Sequence, residues 1–207
     1  QKVAKQYQAS ITEYLNAVLL YSLLQKQEHD FHLRLRPVRI AMPVNLRRFF
    51  PSKTLRNFIT MVYPSIDPRL GDYTFEEIVT QVHHYLRYYI NSKFLRGDIT
   101  TNASTQRNPL IRIVPLFLKD FVVRQFYQRV QDKNSSAGLT NMGAIRVPDD
   151  MKPYLERFDI YMGIPYSQRT NCAIVSFEDT LTVNFASCII EADVERRFFQ
   201  KLVEDGI

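Results

Sequence analysis

The 207-residue chain has no tryptophan, only two cysteines and only six glycines, and it has no long apolar run. Each shortage excludes something. Two cysteines, Cys172 and Cys188, cannot make a disulfide framework. Both sit in apolar, strand-like segments and read as free buried thiols, which fits a reducing, cytoplasmic setting. The few glycines form neither a phosphate-cradling loop nor a Gly-x-Ser-x-Gly nucleophile elbow. No stretch approaches the roughly 20 apolar residues needed to cross a bilayer. His29 and His32 lie three apart and the cysteines sixteen apart, which matches no standard zinc spacing, so no metal site is expected. No paired-carboxylate pattern stands out either.

What is present is ordinary for a globular protein: 45% hydrophobic and 23% charged residues, with 14 Phe and 12 Tyr. That many aromatics is incompatible with a solvated, disordered tail. The chain begins at Gln1 with helix-like residues and shows no signal peptide. It is therefore expected to be a piece of a larger protein, cut at or near a domain boundary. The formal charge of +6 comes largely from Arg34, Arg36, Arg39, Arg47, Arg48, Lys53 and Arg56, all in one short stretch. Such a patch suits an anionic partner. Nucleic acid is a poor candidate, because no aromatic-basic interleaving or binding motif accompanies the charge.

Hydrophobic periodicity divides the chain into helices and short strands. Val3, Tyr7, Ile11, Tyr14, Val18, Tyr21 and Leu24 predict one helix from about Lys2 to Gln27, with Ser10 and Thr12 inside it. Strands are expected at about Pro37–Leu46 and Asn57–Tyr63. Asp72 or Thr74 can cap a helix that runs to about Phe94 and stops before Gly97. A polar loop over Asn102–Asn108 and a helical stretch over Pro109–Val130, broken at Pro115, follow. Next come strands near Gly138–Val147, Arg157–Met162, Thr170–Phe177 and Thr180–Cys188, with Glu178-Asp179 as a hairpin turn. A closing helix spans about Glu191–Asp205. The mixture predicts an α+β fold: a mixed, mostly antiparallel sheet with helices packed on one side.

Within that pattern, Val38-Arg39-Ile40-Ala41-Met42-Pro43-Val44-Asn45-Leu46-Arg47-Arg48 is the most informative segment. Its apolar/polar alternation reads as a half-buried strand that carries two guanidiniums to its own end. An arginine placed there suits a carboxylate or phosphate. No acidic residue lies between Leu33 and Asn57, so the partner must come from elsewhere.

Taken in order, several segments resemble the second half of the chloramphenicol-acetyltransferase-like superfamily. They are Ser10-Ile11-Thr12-Glu13-Tyr14-Leu15-Asn16-Ala17, Pro43-Val44-Asn45-Leu46-Arg47, Ser52-Lys53-Thr54-Leu55-Arg56-Asn57-Phe58, Leu139-Thr140-Asn141-Met142-Gly143 and the terminal Glu191–Phe199 segment. The superfamily includes the condensation domains of peptide synthetases and the bacterial alcohol O-acetyltransferases, and the chain is most similar to the latter. The absence of an Asp-Phe-Gly-Trp-Gly motif separates it from the condensation branch.

The resemblance implies one lobe of a two-lobe acyltransferase. The intact protein would move an acyl group, such as acetyl, from coenzyme A or a carrier-protein thioester to a small alcohol or amine, with no tightly bound cofactor. The superfamily's base lies in a His-His-x-x-x-Asp motif of the other lobe. Here His83-His84 is followed by Tyr88 where aspartate belongs, and the pair falls mid-helix, so neither histidine is assigned as base. The fragment alone is expected to be inactive.

By the same resemblance Arg47, with Arg48 as the alternative, orients the histidine loop by pairing with the motif's aspartate. Asn141 and Gly143 line the substrate channel, Gly143 being small to admit a close approach. Arg39, Lys53 and Arg56 meet the donor's phosphates. Two alternatives stand beside this reading: a non-catalytic binding or assembly module of the same fold, and self-association of the lobe through an apolar junction.

Overall fold

A computed structural model describes residues 1–30, 34–107, 115–116, 118, 120, 135–165 and 168–207. In chain order its elements are α1 (Lys2–Gln6), α2 (Ile11–His29), β1 (Val38–Asn45), β2 (Ile59–Val62), β3 (Ser65–Ile66), α3 (Phe75–Tyr89), α4 (Ser92–Arg107), β4 (Ala137–Ala144), β5 (Thr170–Phe177), β6 (Thr180–Ser187) and α5 (Asp193–Glu204). The sheet order is β2-β1-β4-β5-β6, with β3 also pairing β1. The β1/β4 and β4/β5 pairs are parallel, and the β1/β2, β1/β3 and β5/β6 pairs antiparallel. This is the expected α+β arrangement, with helices on one side of the sheet.

The single N-terminal helix expected from periodicity is two helices. Gln8 adopts φ 54°, which ends the first. Ser10 then starts the second with a reciprocal capping box: its hydroxyl accepts from Glu13 N–H at 3.3 Å, and Glu13 Oε2 accepts from Ser10 N–H at 2.6 Å. Thr74 caps α3 in the same way with Glu77.

The expected stop before Gly97 and the polar loop over Asn102–Asn108 are also corrected. The chain breaks earlier, after Tyr89, and α4 then runs through Gly97 to Arg107. Asn91 restarts it, its Oδ1 accepting from Lys93 and Phe94 N–H at 3.0 Å. Most of the helical stretch expected over Pro109–Val130 lies outside the described residues. The segment expected as a strand at Arg157–Met162 is irregular chain with no ladder partner among the described residues.

Apolar burial orders these pieces. Ala17, Val18, Leu19 and Leu20 of α2 are fully buried, because that helix lies between β1, α3 and α5. Val194, Phe198 and Leu202 turn the inner stripe of α5 into the same core. Complete burial of one such side chain is worth about 1.5–3 kcal/mol. A polar knot joins the ends of the chain. Asp205 accepts from Tyr14 Oη at 2.6 Å and from Lys201 Nζ at 2.8 Å, while that ammonium also lies 4.3 Å from the centre of the Phe75 ring. Burial, then the Asp205 carboxylate, hold the Tyr14 hydroxyl far above its ordinary pKa.

The two cysteines differ from expectation in one respect. Cys172 is buried in β5, its thiol pushed up to about 12 by burial, whereas Cys188 is exposed. Both are free thiols. Among the described residues no helix is long and apolar enough to cross a membrane.

The extended segment before β5 is held by a buried amide. Asn171 Oδ1 accepts from Gly138 N–H at 2.7 Å, and its Nδ2 donates to the Gly163 carbonyl at 2.9 Å. A β-carbon on Gly138 would stand 2.8 Å from that same Oδ1. Gly138→Ala is therefore expected to lower the urea midpoint by an amount equivalent to about 1–3 kcal/mol, through overpacking and a strained hydrogen bond. An unchanged midpoint would remove the clamp.

Candidate functional site

A cleft of about 710 Å³ opens at the C-terminal end of β1. Its origin is a gap in the sheet. Ile40 N–H donates to Pro64 and Leu46 N–H to Phe58, so even-numbered residues of β1 face β2 and β3. Odd-numbered residues face β4, where Ser136 N–H donates to the Arg39 carbonyl. Pro43 is odd-numbered and has no N–H to offer β4. Pairing between β1 and β4 covers only Ile40–Ala137 and Ala41–Gly138, and beyond it the strands part. Met42 to Asn45 form one bank of the gap and Thr140 to Met142 the other.

Two helices close the sides. The first turn of α2 supplies Ser10, Thr12 and Glu13, and the last turn of α3 and its exit supply Leu86, Arg87 and Ile90. Thr12 Oγ1 accepts from Asn141 Nδ2 at 2.9 Å, tying α2 to β4 across the floor. Glu13 is only 6% exposed. Its Oε2 lies 3.4 Å from His83 Nδ1, close but without the alignment of a hydrogen bond, and its Oε1 lies 3.7 Å from Arg87 Nε. Burial alone would raise the pKa of this carboxyl. The hydrogen bonds from Ser10, with His83 beside it, outweigh burial and leave it lowered.

Four of the residues singled out from sequence gather here, and three do not. Arg47, Arg48 and Asn141 line the cleft. Gly143 stands next to it in a β-bulge, where the register between β4 and β5 shifts after Asn141. Nothing lies within 4 Å of where a β-carbon on Gly143 would be, so no described part of the chain makes a close approach there. Its φ of 76° is the left-handed conformation that favours glycine, and its N–H donates to Asn141 Oδ1 at 2.9 Å.

Arg39 is at the far end of β1, about 20 Å of strand from Asn45 at the usual rise per residue. It does not join Lys53 and Arg56, which stand on the exposed 51–58 loop outside the cleft lining. Arg47 reaches that loop: its Nη2 donates to the carbonyls of Thr54 at 2.9 Å and Arg56 at 2.7 Å. The two guanidiniums expected at the strand mouth are present, and the one on Arg47 grips backbone.

Sequence reasoning assigned no site role to Thr12, Glu13 or Arg87. The available signal was Ser-x-x-Glu at Ser10 to Glu13, a helix-start signature that places both side chains at an open helix end. His83 is half-buried against Glu13 and His84 is exposed, as expected of helix-surface histidines. Among the described residues no group of His, Cys, Asp and Glu is arranged to hold a metal ion.

The lowered Glu13 carboxyl has a pH consequence. A group whose native pKa is depressed contributes stability that is complete above its unfolded value, about 4.3, and is lost as pH falls through the native value. Acid unfolding of wild type is thus expected to steepen below about pH 4, and Glu13→Gln to flatten that limb while lowering the melting temperature at pH 7. Coincident acid limbs in the two proteins would remove Glu13 as a contributor.

Comparison with known proteins adds the wider fold. No family model and no curated protein matches the chain. Among solved structures, a wax ester synthase/diacylglycerol acyltransferase from Marinobacter aquaeolei VT8 matches all of this chain and 46% of its own, with TM-score 0.52 and 10% identity. A structure titled for condensation domain-mediated chain release from the enacyloxin polyketide synthase matches 99% of this chain and 36% of its own, with TM-score 0.50 and 16% identity. The chain thus spans less than half the length of either. At such identities the likeness shows the fold alone: this chain shares its fold with part of an acyltransferase and part of a condensation-domain structure.

Proposed function

We propose that this chain is one lobe of an acyltransferase that moves an acyl group from coenzyme A or a carrier-protein thioester to an alcohol or amine. The observation that carries the reading is the cleft between β1 and β4. Arg47, Arg48 and Asn141, distant in sequence, converge on it within a fold shared with an acyltransferase and a condensation domain. Met42, Val44, Leu86 and Met142 give it apolar walls suited to a pantetheine arm or an acyl chain. Arg48 and Arg87 add positive charge suited to phosphate.

Acyl transfer from a thioester needs a base on the attacking hydroxyl or amine, worth about a hundredfold to ten-thousandfold. His83 and His84 do not supply it. His83 faces Glu13 from the middle of α3, and His84 points to solvent. On this reading the complementary lobe supplies the base, and Arg47 serves this lobe by fixing the rim against which the other one works. A non-catalytic binding module of the same fold is the competing reading, favoured by the absence of a histidine among the described cleft residues.

Thiol release from acetyl-coenzyme A, with simple alcohols as acceptors and this chain joined to its complementary lobe, separates the two. The acyltransferase reading expects alcohol-dependent release; none with any alcohol or amine would sink it. Arg47→Ala is expected to reduce release at least tenfold and to speed amide hydrogen exchange over residues 52–57. Unchanged rate and unchanged exchange would remove Arg47 from the machinery.

A further inference from the structure

We infer that the cleft holds a subsite for a second hydroxyl group on the acceptor, formed by Glu13 and Thr12 and braced by Asn141, so that diols or polyols are preferred to plain alcohols. The inference rests on the acyltransferase reading for the word acceptor. Its geometry stands independently.

A carboxylate that is 6% exposed has given up most of its hydration, so its remaining acceptor capacity matters. Oε2 is occupied by Ser10 N–H at 2.6 Å and approached by His83. Oε1 accepts no hydrogen bond among the described residues, and its neighbouring cation, Arg87 Nε, is 3.7 Å away on a side chain 72% exposed. One residue before Glu13, Thr12 presents a hydroxyl with the opposite need. Its oxygen accepts from Asn141 Nδ2, and the described residues offer its proton no acceptor. Asn141 cannot turn over to compete, because its Oδ1 holds the Gly143 N–H. The cleft therefore carries an acceptor and a donor on consecutive residues of the first turn of α2, both in its lining.

A hydroxyl group satisfies both, donating to Glu13 Oε1 and accepting from Thr12 Oγ1. A methyl or methylene satisfies neither, leaving Glu13 Oε1 without a donor and the Thr12 hydroxyl proton without an acceptor. That asymmetry is what makes a polar subsite discriminate. An ammonium can donate to Glu13 but accepts nothing from Thr12, and Arg87 and His83 stand against it. A phosphate or carboxylate is repelled by Glu13 and is better met at Arg48. The apolar residues between, Met42 and Met142 among them, suit the hydrocarbon joining the two hydroxyls of the acceptor.

The test measures binding to the full chain by saturation-transfer NMR, with 1,3-butanediol and 1-butanol as probes. Wild type is expected to bind the diol at least tenfold more tightly. Thr12→Val, which removes the donor, is expected to abolish the difference. Glu13→Gln is expected to narrow it to about threefold or less; Gln at this helix position still accepts from the capped N–H, so the helix start is kept. Melting temperatures of both variants establish that each is folded. Equal affinity for the two probes in wild type, no binding of either, or a diol preference untouched by both variants would overturn the subsite. Displacement of the diol by pantetheine, with the Thr12→Val variant blind to both, would reassign the pair to the donor's amides and equally overturn it. Diol preference without thioester turnover would leave the subsite standing and remove the acyltransferase reading, while turnover without diol preference would do the reverse.

Discussion

The site exists because β1 stops pairing with β4 after two residues. A central parallel strand ordinarily continues its ladder, since an unpaired backbone N–H or carbonyl in the interior costs as much as a lost hydrogen bond. At Pro43 that cost does not arise on the donor side, because the residue whose N–H would face β4 has none. On the other bank, the bulge after Asn141 shifts the register of β4 against β5. Two local irregularities, one on each strand, thus split the sheet at one level. They leave side chains from both strands and two helices facing a common space.

Where α2 begins decides what fills that space. A capped first turn leaves Thr12 and Glu13 at the helix mouth, while Leu15 and Val18 to Leu20 continue into the core. The same turn touches β4 through Thr12 and α3 through Glu13, so the helix start bonds both walls of the cleft at once. Glu13 therefore has two roles with different demands. As half of the capping box it needs one acceptor oxygen, which a glutamine can provide. As a cleft residue it offers a charge and a second oxygen, which glutamine only partly replaces.

Much of this was legible in the sequence. Period-two alternation in Val38–Val44 marks β1 correctly, and Thr170–Phe177 with Thr180–Ser187 around Glu178-Asp179 marks the hairpin. Asn141, singled out by the resemblance, and Arg47, singled out by its place just after β1, both fall in the cleft lining. The helix over Lys2–Gln27 was overextended because its apolar positions stay in phase across the break, and periodicity does not register a local turn. The signature that marks the break, Ser10 with Glu13, depends on two polar residues. The reading placed in the 157–162 segment a strand that the fold does not pair. What holds that segment is a set of side-chain ties, Phe158 against Phe177, Asn184 to Asp159 and Asn171 to the Gly163 carbonyl just beyond it, and such ties have no period to detect.

Arg47 shows how far a residue type alone can carry an inference. Its position at a strand mouth, with no acid nearby in sequence, suited a carboxylate on another lobe. In the fold, its Nη2 meets two backbone carbonyls of the 51–58 loop instead. Those carbonyls belong to residues in no regular element, and an exposed loop loses conformational freedom when it is pinned. A guanidinium has five N–H donors in a fixed fork, so binding two carbonyls through one nitrogen leaves Nε and Nη1 for other partners. The loop contact and a contact from Arg47 to another group are thus compatible. The first orders the rim, and the remaining donors are then presented from a side chain whose direction is already set. The 51–58 loop, which also carries Lys53 and Arg56, is thus tied to the end of β1 through Arg47.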